Sequence, residues 1–140
     1  MAVDLLRIFI YADKEGNLKN TPARKMFSLV DGMVGGEGNG PLNPDSKKCS
    51  LIVSGFNFCA VDLVCARIMG FDYKKIKILD YILNQKDLYK IDVDKIKLSS
   101  NDDYKDLFNE KNKNRYFNFK PPIGWKGFIE IGQKHDKRTF

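Results

Sequence analysis

The residues best suited to bind a ligand lie together in a glycine-rich segment between Val30 and Pro41. Five of the eleven glycines fall within nine residues there, interleaved with Asp31, Glu37 and Asn39. Magnesium, calcium and manganese prefer carboxylate and amide oxygens as ligands, and glycine allows the backbone to approach a ligand closely. The segment therefore predicts a loop that binds a divalent cation or a polar small molecule.

Asp62 is a further acidic candidate, because it lies between apolar residues of a predicted helix. Either it contributes to the same site, or it anchors a neighbouring element through a hydrogen bond or salt bridge. In the first case the predicted ligand-binding residues are Asp31, Gly35, Gly36, Glu37, Gly38, Asn39, Gly40 and Asp62. The predicted metal ligands among them are Asp31, Glu37 and Asp62.

The common phosphate- and calcium-binding motifs do not fit this segment. A Walker loop requires a Gly-Lys-Ser/Thr sequence, and a dinucleotide fingerprint requires three spaced glycines between a strand and a helix. An EF-hand starting at Asp31 would place Met33, Gly35 and Leu42 where oxygen ligands are needed. We therefore expect a site of another geometry, with ligands gathered from several elements.

The cysteines and the histidine offer little catalytic chemistry. Cys49, Cys59 and Cys65 lack the spacing of zinc or iron–sulfur ligands, so no iron–sulfur cluster is expected in this chain. Reduced thiols suit a cytoplasmic location. His135 is the only histidine and lies in a charged tail, so we predict no Ser-His-Asp or Cys-His pair.

Charge and hydropathy limit the classes of partner. The net charge is +6, but acidic residues alternate with the basic ones, which predicts a solvated surface rather than a nucleic-acid-binding stripe. No apolar run approaches the ~20 residues of a membrane span. With 43% hydrophobic and 30% charged residues, we expect one globular domain over residues 1–132 and a charged flexible tail at 133–140.

Capping residues and periodicity predict the elements that position these side chains. Apolar residues at helical spacing predict a helix over 22–34. The sequence of residues 51–56 predicts a buried strand. Asn57 and Gly70 are suited to cap a helix over 58–69. The expected fold is therefore α/β, with helices packed on a small sheet. The glycine-rich loop then lies near the end of the central strand, where open α/β sheets bind ligands.

The remaining segments are predicted in less detail. The apolar run at 5–12 fits a helix or a strand equally well. A short helix is expected after Asp72, a short strand near 93–98, and another helix from residue 102. Residues 116–122 are expected to be extended, since proline disfavours helix in the residue before it.

Two segments carry a family resemblance, one from Asp31 to Leu42 and the other from Ala60 to Asp72. Together with the turn at 13–16, the region of Arg24 and the closing Gly124-Trp125-Lys126-Gly127, they resemble the domain of unknown function 362 family. The similarity is to members found near polysaccharide-synthesis genes, and it spans roughly residues 4–130. Where the family begins its central helix with Asp-Pro or Asn-Pro, this chain has Asn57-Phe58.

The resemblance implies that the chain is the C-terminal part of a longer protein, whose N-terminal region would complete the site. Some relatives carry a ferredoxin-like cysteine cluster, which this chain lacks, and the family has no common established activity. The functional hypothesis is a cytoplasmic domain that binds a cation or polar ligand as part of an enzyme of unknown reaction. The alternative is a non-catalytic structural or protein-interaction domain.

Overall fold

The computed structural model of the chain describes residues 2–85, 91–101, 104, 107–108 and 116–132. The main elements are, in chain order, α1 (Ala2–Tyr11), β1 (Ser28–Asn39), β2 (Asn43–Gly55), α2 (Phe58–Met69) and α3 (Lys77–Leu83). Short 3-10 turns occur at Tyr73–Lys75, Val93–Lys95 and Ile123–Trp125. Helices pack around a two-stranded antiparallel sheet, which confirms the predicted small α/β fold.

Helix α2 forms at the predicted residues because its caps are local signals. The side chain of Asn57 accepts a hydrogen bond from the backbone N–H of Ala60 at 3.1 Å. Gly70 ends the helix with a φ of 88°, a conformation that glycine adopts without steric cost. The buried face of α2 includes Leu63 and Val64, which belong to two separate clusters of the core. Helix α2 therefore links these two clusters of the core.

Strands β1 and β2 form a long hairpin, and the predicted helix over 22–34 is wrong. The pairing runs from Ser28 opposite Gly55 to Asn39 opposite Asn43, with a bulge at Met33. The helical spacing rested on only four apolar residues. In the structure, residues 28–34 belong to β1 and pair with β2 on both sides of the bulge, and residues 22–27 form neither helix nor strand. The strand predicted at 51–56 is confirmed through Gly55, within β2.

Residues 116–122, the crossover segment, contact both α2 and the hairpin. They form neither helix nor strand, and Asn118 has a φ of 48°, so the segment is not extended throughout as predicted. The N–H groups of Phe117 and Phe119 donate to the last carbonyls of α2, each at 2.8 Å. Further along, the N–H of Gly38 in β1 donates to the carbonyl of Lys120 at 2.7 Å. The segment thus fixes the position of the hairpin relative to the helix.

The other predicted elements have mixed outcomes. The run at 5–12 is helical through Tyr11 as part of α1, and Asp72 caps the short turn Tyr73–Lys75. The strand predicted near 93–98 is wrong, since this stretch holds only the turn Val93–Lys95. The helix predicted from residue 102 lies mostly outside the described residues, and the described Tyr104, Leu107 and Phe108 are not helical. The tail at 133–140 lies outside the described residues.

Candidate functional site

Glu37 is a buried residue whose carboxylate oxygens contact other groups of the protein. Its side chain is 7% exposed and forms an ion pair with Lys47 at 2.8 Å. The same carboxylate accepts a hydrogen bond from the backbone N–H of Lys120 at 3.0 Å and lies 3.4 Å from the ammonium group of that residue. The hydrogen bond from Lys47 is the main reason why the pKa of Glu37 lies below its ordinary value of 4.5.

Asp31 has a local role at the bulge of the hairpin. It lies in strand β1 and not in the helix predicted over 22–34. Its carboxylate accepts a hydrogen bond from the N–H of Met33 at 3.0 Å, and Met33 is the residue at which the register shifts. This short-range bond stabilises the irregular backbone there.

Asp62 lies on the exposed side of α2. Partial burial raises the pKa of its carboxyl group above the ordinary value of 3.8. Burial, with a contribution from the negative charge of Asp62, raises the pKa of the thiols of Cys59 and Cys65 to about 12 and about 11. Both thiols are therefore protonated near neutral pH and are poor nucleophiles.

The predicted binding glycines belong to the hairpin, and two of them have a clear structural reason. A Cβ atom on Gly35 would lie 2.7 Å from the ring of Phe119, so only glycine allows this close packing. Gly38 has a φ of 77°, which disfavours other residues. Gly36 pairs with Ser46, and Gly40 lies in the hairpin turn.

Asn39, the last predicted ligand of the segment, also has a partner within the chain. Its side-chain oxygen accepts a hydrogen bond from the N–H of Ile123 at 3.2 Å. Like Glu37, it joins the end of β1 to the C-terminal part of the chain. Both residues thus attach the hairpin to the region of the crossover segment.

The structure does not bring the three predicted metal ligands together. Among the described residues, no three His, Cys, Asp or Glu side chains are placed to hold a metal ion, and Asp31, Glu37 and Asp62 are all described. Asp31, Gly35 and Gly36 do line one cavity of about 220 Å³ between the sheet and α2. The rest of its lining is Gly32 and a set of apolar or sulfur-bearing residues: Val30, Leu51, Val53, Ile68, Met69, Phe117, Phe119, Cys49 and Cys65. Such a lining does not suit a divalent cation.

Two features with binding chemistry were missed by the sequence reasoning. The first is the outer edge of β2, which borders two grooves of about 610 and 620 Å³. The second is Arg67, a buried arginine beside a cavity of about 210 Å³. An arginine among the apolar residues in the last turn of α2 was the available signal for the second. The first depends on the hairpin, which was not predicted.

No family model, curated protein or solved structure matches this chain. The resemblance to the domain of unknown function 362 family stays a prediction. Within the described part of the chain, no helix has the length and apolar character needed to cross a membrane. The geometry of the chain itself is therefore the basis for any functional proposal.

Proposed function

We propose that this chain is a protein-interaction domain that binds an extended segment of a partner protein along the outer edge of β2. The main support for the proposal is the geometry of this edge. β2 pairs with β1 on one side, and no other strand of the described residues pairs with its second side. An unpaired strand presents backbone N–H and C=O groups that an extended peptide can satisfy by adding a strand.

The two grooves beside β2 provide the space for such a peptide. One extends from Val53 to the start of α2, and the other extends past Ser50 to the residues around Tyr104. They share Val53, Ser54, Val64, Lys97 and Leu98, so they form one continuous channel between β2, α2 and residues 91–101. A channel parallel to a free strand edge favours an extended ligand over a compact one.

The walls of the channel indicate which peptide would bind. Val53, Val64 and Leu98 provide apolar contacts, and the exposed side chain of Lys97 provides positive charge. Since successive side chains of an extended peptide point in opposite directions, the expected ligand alternates apolar residues with acidic or polar ones.

The outer face of the hairpin would extend the interface. Phe27, Leu29, Ile52 and Phe56 are all at least 59% exposed. Leu29 lies opposite Ser54, and Ile52 lies opposite Asp31, which places them on one face of the sheet. The rings of Phe27 and Phe56 contact each other edge to face, with their centroids 5.2 Å apart. Neighbouring exposed apolar side chains of this kind are typical of interaction surfaces.

A selection from a random library of displayed peptides tests the proposal with the purified chain. We expect enriched sequences with alternating apolar and acidic residues, and their binding should slow amide hydrogen exchange at residues 50–55. The substitution Ile52→Lys should weaken binding at least tenfold. Leu42→Lys is the matched control, because Leu42 is 97% exposed in the hairpin turn. Enriched peptides that bind both variants equally, or the absence of enrichment, would refute the proposal.

A further inference from the structure

Arg67 has an unusual environment for a charged side chain. It is 5% exposed, and its Nε atom is buried without a hydrogen-bond partner. Among the described residues, no carboxylate forms an ion pair with it. Burial of a charged group and of an unpartnered donor is unfavourable in general, so the Nε–H group of Arg67 requires compensation from elsewhere.

The surroundings of Arg67 compensate its charge only in part. The guanidinium carbon lies 5.9 Å from the ring centroid of Tyr73 and 5.6 Å from that of Tyr116, and both rings attract a cation through their faces. Its position in the last turn of α2 is also favourable, because the C-terminal end of a helix carries partial negative charge. Neither interaction satisfies the Nε–H donor of the guanidinium group, and the hydroxyl group of Tyr116 is likewise buried without a partner.

A cavity of about 210 Å³ opens beside this arginine. Its lining combines charged, aromatic and backbone groups: Arg67, Asp72, Tyr73, Lys74, Phe108, Ile131 and Gly132. The exposed Lys74 adds a second positive charge at the cavity. Asp72 adds a negative charge, but one oxygen of its carboxylate accepts a hydrogen bond from the N–H of Lys74 at 3.1 Å. The unpartnered Nε–H group of Arg67 and the positive charge of Lys74 are groups that an anion would use.

We infer that this cavity binds the phosphate or carboxylate group of a small anionic molecule, with Arg67 as its main ligand. The planar guanidinium group donates paired hydrogen bonds that match both kinds of anion. The cavity is smaller than a typical drug-sized pocket of roughly 300–1,000 Å³, so it admits the anionic group and few further atoms. The inference is independent of the peptide-binding proposal, because the two sites share no lining residue.

The test is a titration of the whole chain, labelled with nitrogen-15, with inorganic phosphate and separately with acetate, at constant ionic strength set with chloride. The signal of the Arg67 Nε–H group should shift saturably with at least one of the two anions and not with chloride. Saturation by phosphate alone identifies a phosphate site, and saturation by acetate alone identifies a carboxylate site. The absence of a saturable shift with either anion would overturn the inference.

Two variants separate an anion site from an internal ion pair. Asp72→Asn keeps a good capping residue and removes a negative charge from the cavity, so it should tighten anion binding roughly fivefold. Arg67→Met should abolish binding and should leave the Tm of the anion-free chain unchanged or raise it, since a buried unpaired charge is replaced by an apolar side chain. A Tm lowered by several degrees in Arg67→Met, together with unchanged affinity in Asp72→Asn, would instead assign Arg67 to an internal ion pair.

Discussion

The substitution Glu37→Gln tests the structural role assigned to the buried carboxylate of β1. Gln keeps the shape of the side chain but removes the charge that binds the ammonium group of Lys47 at 2.8 Å. It also weakens the hydrogen bond with the N–H of Lys120, at 3.0 Å in the native chain. Hydrogen bonds to charged groups contribute about 1.5–3 kcal/mol. Because Lys47 is partly exposed, we expect the free energy of unfolding to fall by roughly 2 kcal/mol, measured by urea denaturation.

The pH dependence of this difference gives a sharper test than its size. The pKa of Glu37 in the folded chain lies below the ordinary value of 4.5, chiefly because of the hydrogen bond from Lys47. Its stabilising effect is therefore complete at pH values above the unfolded-state pKa, and it is lost as the pH falls through the folded-state pKa. The difference between the native chain and Glu37→Gln should be constant near neutral pH and should shrink below about pH 4.5.

Asp45→Asn is the matched control for Glu37→Gln. Asp45 also forms an ion pair with Lys120, at 3.1 Å, but both side chains of this pair are about two-thirds exposed. Exposed ion pairs contribute little to stability, so the control should unfold like the native chain. Our reasoning would be refuted if Glu37→Gln were as stable as the control, or if its deficit stayed the same in acid. A more stable Glu37→Gln would indicate that Glu37 is repelled by other carboxylates, which is expected of a ligand site and not of an internal ion pair.

Two further predictions concern the glycines and metal ions. Gly35→Ala should lower the free energy of unfolding by about 1–3 kcal/mol, because the added methyl group would overlap the ring of Phe119. Gly124→Ala, where a Cβ atom meets nothing within 4 Å, should change little in the same urea denaturation. EDTA, Mg²⁺, Ca²⁺ and Mn²⁺ should leave the Tm unchanged in thermal unfolding. A saturated site would add about 2.7 kcal/mol at a hundred times the dissociation constant, so a rise of several degrees would contradict the structural role of the acidic residues.

The sequence predicted the elements whose signals are local. Asn57 and Gly70 identified the ends of α2 because capping depends on a few neighbouring residues. The hairpin was missed because the need for glycine at position 35 comes from its close packing against Phe119, which is 84 positions away in the sequence. A separation of 83 positions concealed Lys120 as a partner of Glu37. Without its partners, Glu37 resembles a ligand-binding acid. Arg67 was overlooked for a similar reason, since its burial and the lack of a partner for its Nε atom depend on the folded surroundings.

The crossover segment also has a consequence for how the chain folds during synthesis. Glu37 and Lys120 are 83 positions apart, and Asn39 and Ile123 are 84 positions apart. A ribosome that has completed the hairpin and α2 must still add about fifty residues before these contacts can form. Contacts between distant positions slow folding and leave strand edges exposed meanwhile. The far end of the hairpin is therefore expected to reach its native arrangement late, when the nascent chain is most open to chaperones and to association with other chains.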